Sequence, residues 1–520
     1  MIKELLDANE DYRKYLFIRG FLITDADIDE YDYPFYGKWV SYRVQKYVFL
    51  IHPQQHFYKY ETGDKTYFMI GHSINPFDAE IYEEKILKKL AEKSNESPLP
   101  AEEYFNSLTG NFVVGIVEGN KITFATDPTG MLYCCYGKIN DKVYITSHYQ
   151  LVADICPLTK NSYIKELEKY KHFYKYGVFF PADITPYAEL TRAVQNHFVF
   201  YDGVFKIKRF YPCNELKPCK TEEYSKTVKK CVGILKETLR LASEKWNDIA
   251  ISMTGGMDSK TTLSCANGMY DKFAYYSYIS MHGDKIDADA AHKIAEEVGI
   301  NHQIISISEN DEDFEDLEIA KAILSHNKGG YKTNSNDVRK RIYFAKNSQF
   351  VEVKSWISEI ARANYYKKFG VKKMPKHLSA RNMTSMYKIF TTQRKLARKT
   401  DIIFRDFIDR VGFNSFPEGY DESDMYLWEF RYSSWGGMVI TAEHSFSNEI
   451  FIPYNNRRLL DEMLRAPLSK RISDEFHEDM IREGNSKISD LGITITNWNE
   501  TKKRQFFEKV YFKINSFLPF

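Results

Sequence analysis

The stretch Ile249-Ala-Ile-Ser-Met-Thr-Gly-Gly-Met-Asp-Ser-Lys260 restricts the fold more than any other part of the chain. Its apolar start reads as a buried strand, its two glycines permit a sharp turn, and an acid and a hydroxyl then open a helix. The text around it repeats that alternation. Strands are predicted at 248–253, 273–279, 303–307 and 350–353, with helices beginning near Ser259 and spanning 287–298. Such alternation builds a parallel sheet flanked by helices, with ligands at the carboxyl ends of the strands. Gly255 and Gly256 let backbone N–H groups approach an anion, and the positive end of the next helix points at the same place. The turn is therefore predicted to cradle phosphate. Thr254 and Ser259 add hydroxyls, and Asp258 is suited to hold Mg²⁺ against pyrophosphate oxygens.

The first 200 residues are written differently. Runs at 47–51, 66–71, 111–117, 121–125 and 142–147 are rich in β-formers and separated by turn pairs such as Gly119-Asn120 and Asn140-Asp141. One amphipathic helix, 78–93, interrupts them, and a helix is predicted to start at Thr221 and run toward Ser243. Irregular, proline-containing text from Tyr211 to Cys219 marks the division. The expected organisation is a strand-rich domain at 1–210, a linker at 211–220 and an α/β domain at 221–520, with long helical text from Pro375 onward.

Composition excludes several classes. With 43% hydrophobic and 28% charged residues, the 520-residue chain is neither disordered nor fibrous. Basic and acidic side chains balance, 72 against 71, so no global pull toward nucleic acid or an anionic membrane is expected. Seven cysteines without CxxC spacing indicate neither a disulfide framework nor structural zinc, and a cytoplasmic location is expected. No apolar run is long enough to span a membrane.

Beyond these readings, Thr254-Gly-Gly-Met-Asp-Ser259 resembles the S-G-G-x-D-S pyrophosphate loop of the ATP-pyrophosphatases, and the surrounding chain resembles the asparagine synthetase family. The segment 287–302 is similar to that family's second helix and following strand. Val353 to Tyr365 stands where the family has S-G-E-G-[SA]-D-E-x-F-x-G-Y, Glu443 to Asn456 where it has E…V.VPFLD, and Met480-Ile-Arg-Glu483 where it has I-L-R-E. Upstream, Gly110 to Val117, Thr126-Asp-Pro-Thr-Gly-Met-Leu-Tyr133 and Ile145 to Leu151 look like the family's glutaminase domain. The resemblance implies an α/β protein with a stacked-sheet, Ntn-hydrolase-like first domain and an ATP-pyrophosphatase second domain of the adenine nucleotide α-hydrolase kind. It implies ATP and Mg²⁺, with a carboxylate converted to an acyl-adenylate and then to an amide. Asp258 and Glu359 take the place of the magnesium carboxylates. Ser252, Thr254, Gly255, Gly256, Asp258, Ser259 and Ser355 take the place of the nucleotide-binding residues. Expected partners are a small-molecule or peptide carboxylate and ammonia or another amine, and a homodimer is compatible with the family.

Departures from the family pattern matter equally. A glutaminase of this type needs a cysteine directly after the initiator methionine; Ile2 stands there. Gly71-His72 replaces N-G-E, and Thr109 replaces the aspartate expected to hold glutamine, so this chain is expected to lack glutaminase activity. In the second signature Trp356, Ile357, Ala363 and Asn364 occupy positions that allow close backbone approach. The lysine before I-L-R-E is missing, with His477 and Glu478 in its place; Lys470, Arg471 and Lys487 are the replacement candidates, and His477 and Lys470 are carried forward as catalytic candidates. Relatives without the cysteine include β-lactam synthetases and peptide macrocyclases, so an amide ligase of that kind, or a nucleotide-binding protein without catalysis, is the alternative expectation.

Overall fold

The computed structural model describes residues 2–517 except 30, 37, 176, 389, 494 and 496–501. Two antiparallel sheets form the first half. One orders its strands as Thr191–Arg192, Cys135–Ile139, Lys142–Thr146, Phe21–Thr24, Tyr47–Ile51 and Val40–Val44. The other runs Phe205–Arg209, His197–Tyr201, Lys121–Thr126, Thr109–Glu118, Lys65–Ile74 and Phe57–Thr62. Apolar side chains from both, including Phe21, Phe49, Phe68, Val113, Phe124 and Val199, meet in one buried cluster, so the sheets stack face to face. The predicted turn pairs close the hairpins. Asn140 and Asp141 both have positive φ, as a two-residue turn between twisted strands requires, and Ile139 pairs with Lys142 across them. The helix predicted at 78–93 begins later, as Glu83–Glu96. It packs Ile86, Leu87 and Leu90 inward, while Asn75 and Glu80 pair as an isolated bridge just before it.

The second half carries a wholly parallel five-stranded sheet, ordered His302–Ser306, Ala274–Ile279, Ile249–Ser252, Val351–Val353 and Glu449–Phe451. The strand Ile249–Ser252 sits at its centre. From it the chain winds outward to one edge, then returns to place Val351–Val353 on the other side. That reversal falls between the carboxyl ends of these two strands, the place where open α/β sheets bind ligands. Two features escaped the sequence reading. The strand Glu449–Phe451 is only three residues long within helical text, and Leu427–Gly437 is a π-helical segment that joins shorter α-helices. The long helical text after Pro375 divides into two long helices, Arg394–Val411 and Lys502–Phe517, and several short ones.

The halves join through buried polar contacts rather than by apolar packing alone. Asp127, in the T-D-P-T-G segment, accepts hydrogen bonds from the backbone N–H groups of Thr129, Met131 and Leu132 at 3.1, 3.0 and 2.9 Å. Asn455, from the second half, donates to Asp127 at 2.9 Å and to the Gly110 carbonyl at 2.7 Å, and accepts from the Thr129 hydroxyl at 2.8 Å. Its neighbour Asn456 donates to Ser107 O and Thr109 Oγ1 at 2.8 and 2.9 Å and caps the helix Arg457–Leu464. Arg457, fully buried, donates to Asn196 at 2.8 Å and lies against the rings of Phe105 and Phe210. The segment 211–220 is tied to the same half, with Leu216 N–H bonded to Glu418 O and Cys219 N–H to Arg465 O, each at 2.9 Å.

Truncating Asn455 would leave Asp127, Thr129 and the Gly110 carbonyl short of partners in a dry interface. Asn455→Ala should therefore lower unfolding stability by about 3 kcal/mol. A urea midpoint equal to that of the unsubstituted protein would mean that this network does not hold the halves together.

Candidate active site

The central strand ends at Ser252, and the helix Met257–Cys265 starts five residues later with Gly256 at its N-cap. Side chains inside the turn fix its path. Thr254 N–H donates to Ser259 Oγ at 3.0 Å, and Gly256 N–H to Thr254 Oγ1 at 3.2 Å. Gly255 is required by space. A Cβ there would lie 2.8 Å from the Ala290 Cβ and 2.2 Å from Ile495 Cδ1. The first N–H groups of the helix have no intrahelical acceptor and face the carboxyl end of the strand. Thr254 is exposed at the turn and Ser259 is buried behind it.

The neighbouring strand, Val351–Val353, leads into a loop and the 3₁₀ turn Ser358–Arg362. Ile357 and Ala363, which bracket that turn, both have left-handed backbone, φ +86° and +48°. Such a conformation is strained for any L-residue and most for a β-branched one, at about 1–3 kcal/mol each. These are two of the positions where glycine is expected, so the chain keeps the bend without the residue that would make it easy. The bend brings Ser358, Glu359 and Arg362 beside Asp258. Ser358 Oγ donates to Asp258 Oδ1, and Arg362 Nη1 donates to both Asp258 oxygens at 3.3 and 3.1 Å. Arg362 also donates to Asp474 at 2.8 and 3.1 Å, and Lys367 pairs with the same carboxylate. The Tyr432 hydroxyl, from the π-helical segment, donates to Glu359.

Electrostatics follow from that arrangement. Burial, together with the nearby Asp258 charge, pushes the Glu359 carboxyl up to about 7. Burial acts to raise Asp474 as well, but Arg362 and Lys367 outweigh it and hold it below the usual carboxylate range. His477 is fully buried, its ring nitrogens have no partner among the described residues, and burial followed by the Arg362 charge lowers it to about 3.

Asp258, Ser259, the glycines and Glu359 are thus brought together. Ser252 lies at the strand end, its hydroxyl 3.4 Å from Val353 O, and the buried Ser355 Oγ lacks a partner among the described residues. Lys470 lies apart from this cluster. It pairs with Glu475 and stands 4.2 Å from the Tyr224 ring centre. Arg471 is engaged by Asp424 at 2.7 Å, and Lys487 is exposed. The cations that reach Asp258 and Asp474 are Arg362 and Lys367, neither singled out from the sequence. A signal existed for Arg362, which follows Glu359 by three residues, the spacing a 3₁₀ turn superimposes. Tyr432 and Asp474 gave none, being distant in sequence.

Among the described residues no group of three or more His, Cys, Asp or Glu is arranged around a metal position. The pair Asp258 and Glu359 still fits Mg²⁺ delivered with phosphate, which needs only one or two protein carboxylates. Glu359, buried beside another carboxylate, is the kind of group that a divalent cation relieves. In the first half, the residues standing at the glutamine-site positions are occupied structurally. His72 Nδ1 lies 2.9 Å from Glu449, Thr109 accepts from Asn456, and Ile2 opens the short helix Ile2–Asp7. No helix among the described residues is long and apolar enough to cross a membrane.

No protein-family model and no curated protein matches the chain. Among solved structures it is similar to the allosteric regulatory enzyme of purine biosynthesis at 11% identity and TM-score 0.23, over 56% of this chain and 62% of that one. It is also similar to glutamine phosphoribosylpyrophosphate amidotransferase from B. subtilis, at 10% identity and TM-score 0.22, over 70% and 74% of the two chains. A third is glutamine-dependent NAD+ synthetase from Acinetobacter baumannii, at 9% identity and TM-score 0.20, over 49% and 62%. The chain spans about three fifths of the length of the first and third of these structures. At such low scores the likeness carries no weight for substrate or reaction.

The Glu359 shift has a measurable sign. Its folded value, about 7, lies above the ordinary 4.5, so its contribution to stability is full below 4.5 and is lost as pH rises through 7. Glu359→Gln, which still accepts from Tyr432, should therefore gain urea resistance relative to the unsubstituted protein between pH 4.5 and 8, by on the order of 3 kcal/mol. Parallel pH profiles for the two proteins would show instead that Glu359 ionises normally.

Proposed function

We propose that the protein is an ATP-dependent amide ligase of the asparagine synthetase type. The observation that carries this reading is the convergence, at the reversal point of a parallel sheet, of a glycine turn with two carboxylates and two cations. The acid's carboxylate oxygen attacks the α-phosphorus of ATP, the bond to the β-phosphate oxygen breaks, and pyrophosphate leaves with that electron pair. An amine nitrogen then attacks the acyl carbon, AMP departs, and the amine gives up a proton. The turn Thr254–Ser259 and the first N–H groups of its helix would hold the departing pyrophosphate. Arg362 and Lys367 would supply fixed positive charge beside it, and such preorganised charge is the main catalytic need of phosphoryl chemistry. Mg²⁺, held by Asp258 and Glu359, would supply charge neutralisation on the phosphate oxygens. The amine is ammonia or another amine from solution or from the substrate itself, since Thr109 and His72 serve the interface between the halves.

A second reading is favoured by one contact. Ile495 lies against Gly255, and Lys260 Nζ donates to Ile493 O at 2.8 Å, so these two residues cover one side of the turn. A protein that binds nucleotide without turnover would tolerate such a cover.

Pyrophosphate release from ATP, Mg²⁺ and a panel of carboxylic acids separates the two. Release with at least one acid, lost by a factor of at least about 100 in Asp258→Asn with the fold intact, is expected. Thermal stabilisation by ATP with no release from any acid would leave only the binding reading. Arg362→Met and Lys367→Met should each lower the rate at least about tenfold, whereas Lys470→Met should stay within about twofold. A large loss in Lys470→Met would move the catalytic cation away from the Asp258 cluster.

A further inference from the structure

The sheet of the first half that begins with Phe205–Arg209 is apolar on both faces. Phe68, Val113, Phe124 and Val199 point into the buried cluster between the sheets. Their neighbours point the other way, because side chains alternate along a strand. On that outer face Tyr67 pairs with Ile116, Ile116 with Thr123, and Thr123 with Phe200, a single row across four strands. The helices Glu83–Glu96 and Pro98–Phe105 reach the row through Leu90 and Phe105 but leave Ile116, Thr123 and Phe200 half-buried. Between helices and sheet lies a cavity of about 410 Å³. That size falls within the range of small-molecule sites, about 300–1,000 Å³, and a mainly apolar wall with a few polar groups is their usual lining.

The wall is braced from behind. Phe198 and Phe210 meet with ring centres 4.3 Å apart, Phe105 lies 5.4 Å from Phe210, and the Arg457 guanidinium rests on Phe105 and Phe210. Arg457 is fixed in turn by Asn196 in the interface between the halves. Rings held in this way cannot swing inward to fill the space, so the cavity is preformed.

Charge at the rim is uneven. At one end Lys65 lies 4.0 Å from Glu118 and Lys121 lies 3.3 Å from Asp202, so these groups answer one another. On the edge strand Lys206 and Lys208 stand opposite Phe200 and Phe198 in the ladder, are exposed, and form no ion pair among the described residues. The nearest acid on that side, Glu102, is raised by burial more than the Lys208 charge lowers it. An apolar trough with two unanswered lysines along one edge suits a molecule with an apolar body and one negative end.

We propose that this cavity binds an amphiphilic monocarboxylate, an unbranched acid whose chain lies along the row Ile116, Thr123 and Phe200 and whose carboxylate reaches Lys206 and Lys208. The space equals about fourteen waters, enough for an acid of about a dozen non-hydrogen atoms. A small molecule fits where a flat protein face does not, because the two helices roof one side of the trough. The site lies in the first half, apart from Asp258 and Glu359, and the assignment does not depend on the ligase reading.

The full-length protein is titrated calorimetrically with three probes. These are decanoate, butanoate, which has the charge without the body, and decan-1-ol, which has the body without the charge. Decanoate should bind at least about tenfold more tightly than butanoate, through the longer chain it buries, and about threefold more tightly than decan-1-ol, as suits exposed charges. Thr123→Phe, which fills the trough from the sheet, should weaken decanoate at least about tenfold. Should that variant fail to fold, Ala101→Trp fills the trough from the helical side. Replacing both Lys206 and Lys208 by Gln should bring decanoate down to the affinity of decan-1-ol and leave the alcohol unchanged. No binding of decanoate, or binding that survives filling of the trough, overturns the site. An unchanged preference for decanoate in the lysine variant overturns the acid as its ligand. Dimers that form with rising protein concentration and are broken by Thr123→Phe, without decanoate binding, would give the face to a second copy and overturn the proposal.

Discussion

The structure hangs on the contact between Asp127 and Asn455. Burial alone raises the Asp127 carboxyl, and the Asn455 amide and three backbone N–H groups work in the opposite direction. A buried acid of this kind is stable only while every partner is in place. Asn455 lies four residues beyond the edge strand Glu449–Phe451, so satisfying Asp127 also fixes the edge of that sheet against the first half. Arg457, two residues on, extends the same network to Asn196 and to the aromatic wall around Phe210.

From this interface the first half reaches the site. Trp428 Nε1 donates to Pro128 O at 2.7 Å, Arg209 donates to Glu429 at 2.5 Å, and Arg192 donates to Ser433 at 2.5 Å. All three hold the π-helical segment, which presents Tyr432 to Glu359. A π-helical stretch is less favourable than an α-helix and persists where surrounding contacts over-determine it. The first half thus acts as a template for one side of the site.

Aromatic residues make up 15% of the chain, and a group of them packs in the same region. Phe179, Tyr387, Phe404, Tyr426 and Phe430 meet edge to face or tilted, with ring centres 4.8 to 6.3 Å apart, filling the space between short helices. Large flat side chains fill such space with few rotamers to immobilise. The same rings then provide the faces on which Arg431 and Lys388 rest.

Much of the sheet framework was legible from periodicity. The run Ile249 to Lys260 announces a strand, a tight turn and a helix because each step is local, a matter of apolar pattern, glycine freedom and capping within twelve residues. The turn pairs at Gly119-Asn120 and Asn140-Asp141 were legible for the same reason. The three-residue strand Glu449–Phe451 was not, since so short a run gains its identity only from a neighbour to pair with.

The sequence by itself determined the parallel sheet, the glycine turn after its central strand and the place of Asp258 at the start of the helix that follows. Tertiary structure alone decided the electrical surroundings of that aspartate. Arg362 turns onto Asp258 because a left-handed Ile357 bends the loop, and Asp474 and Tyr432 arrive from segments some seventy to over two hundred residues away. Charge interactions depend on distances in space and on the local loss of water, and neither is written in the order of residues along the chain.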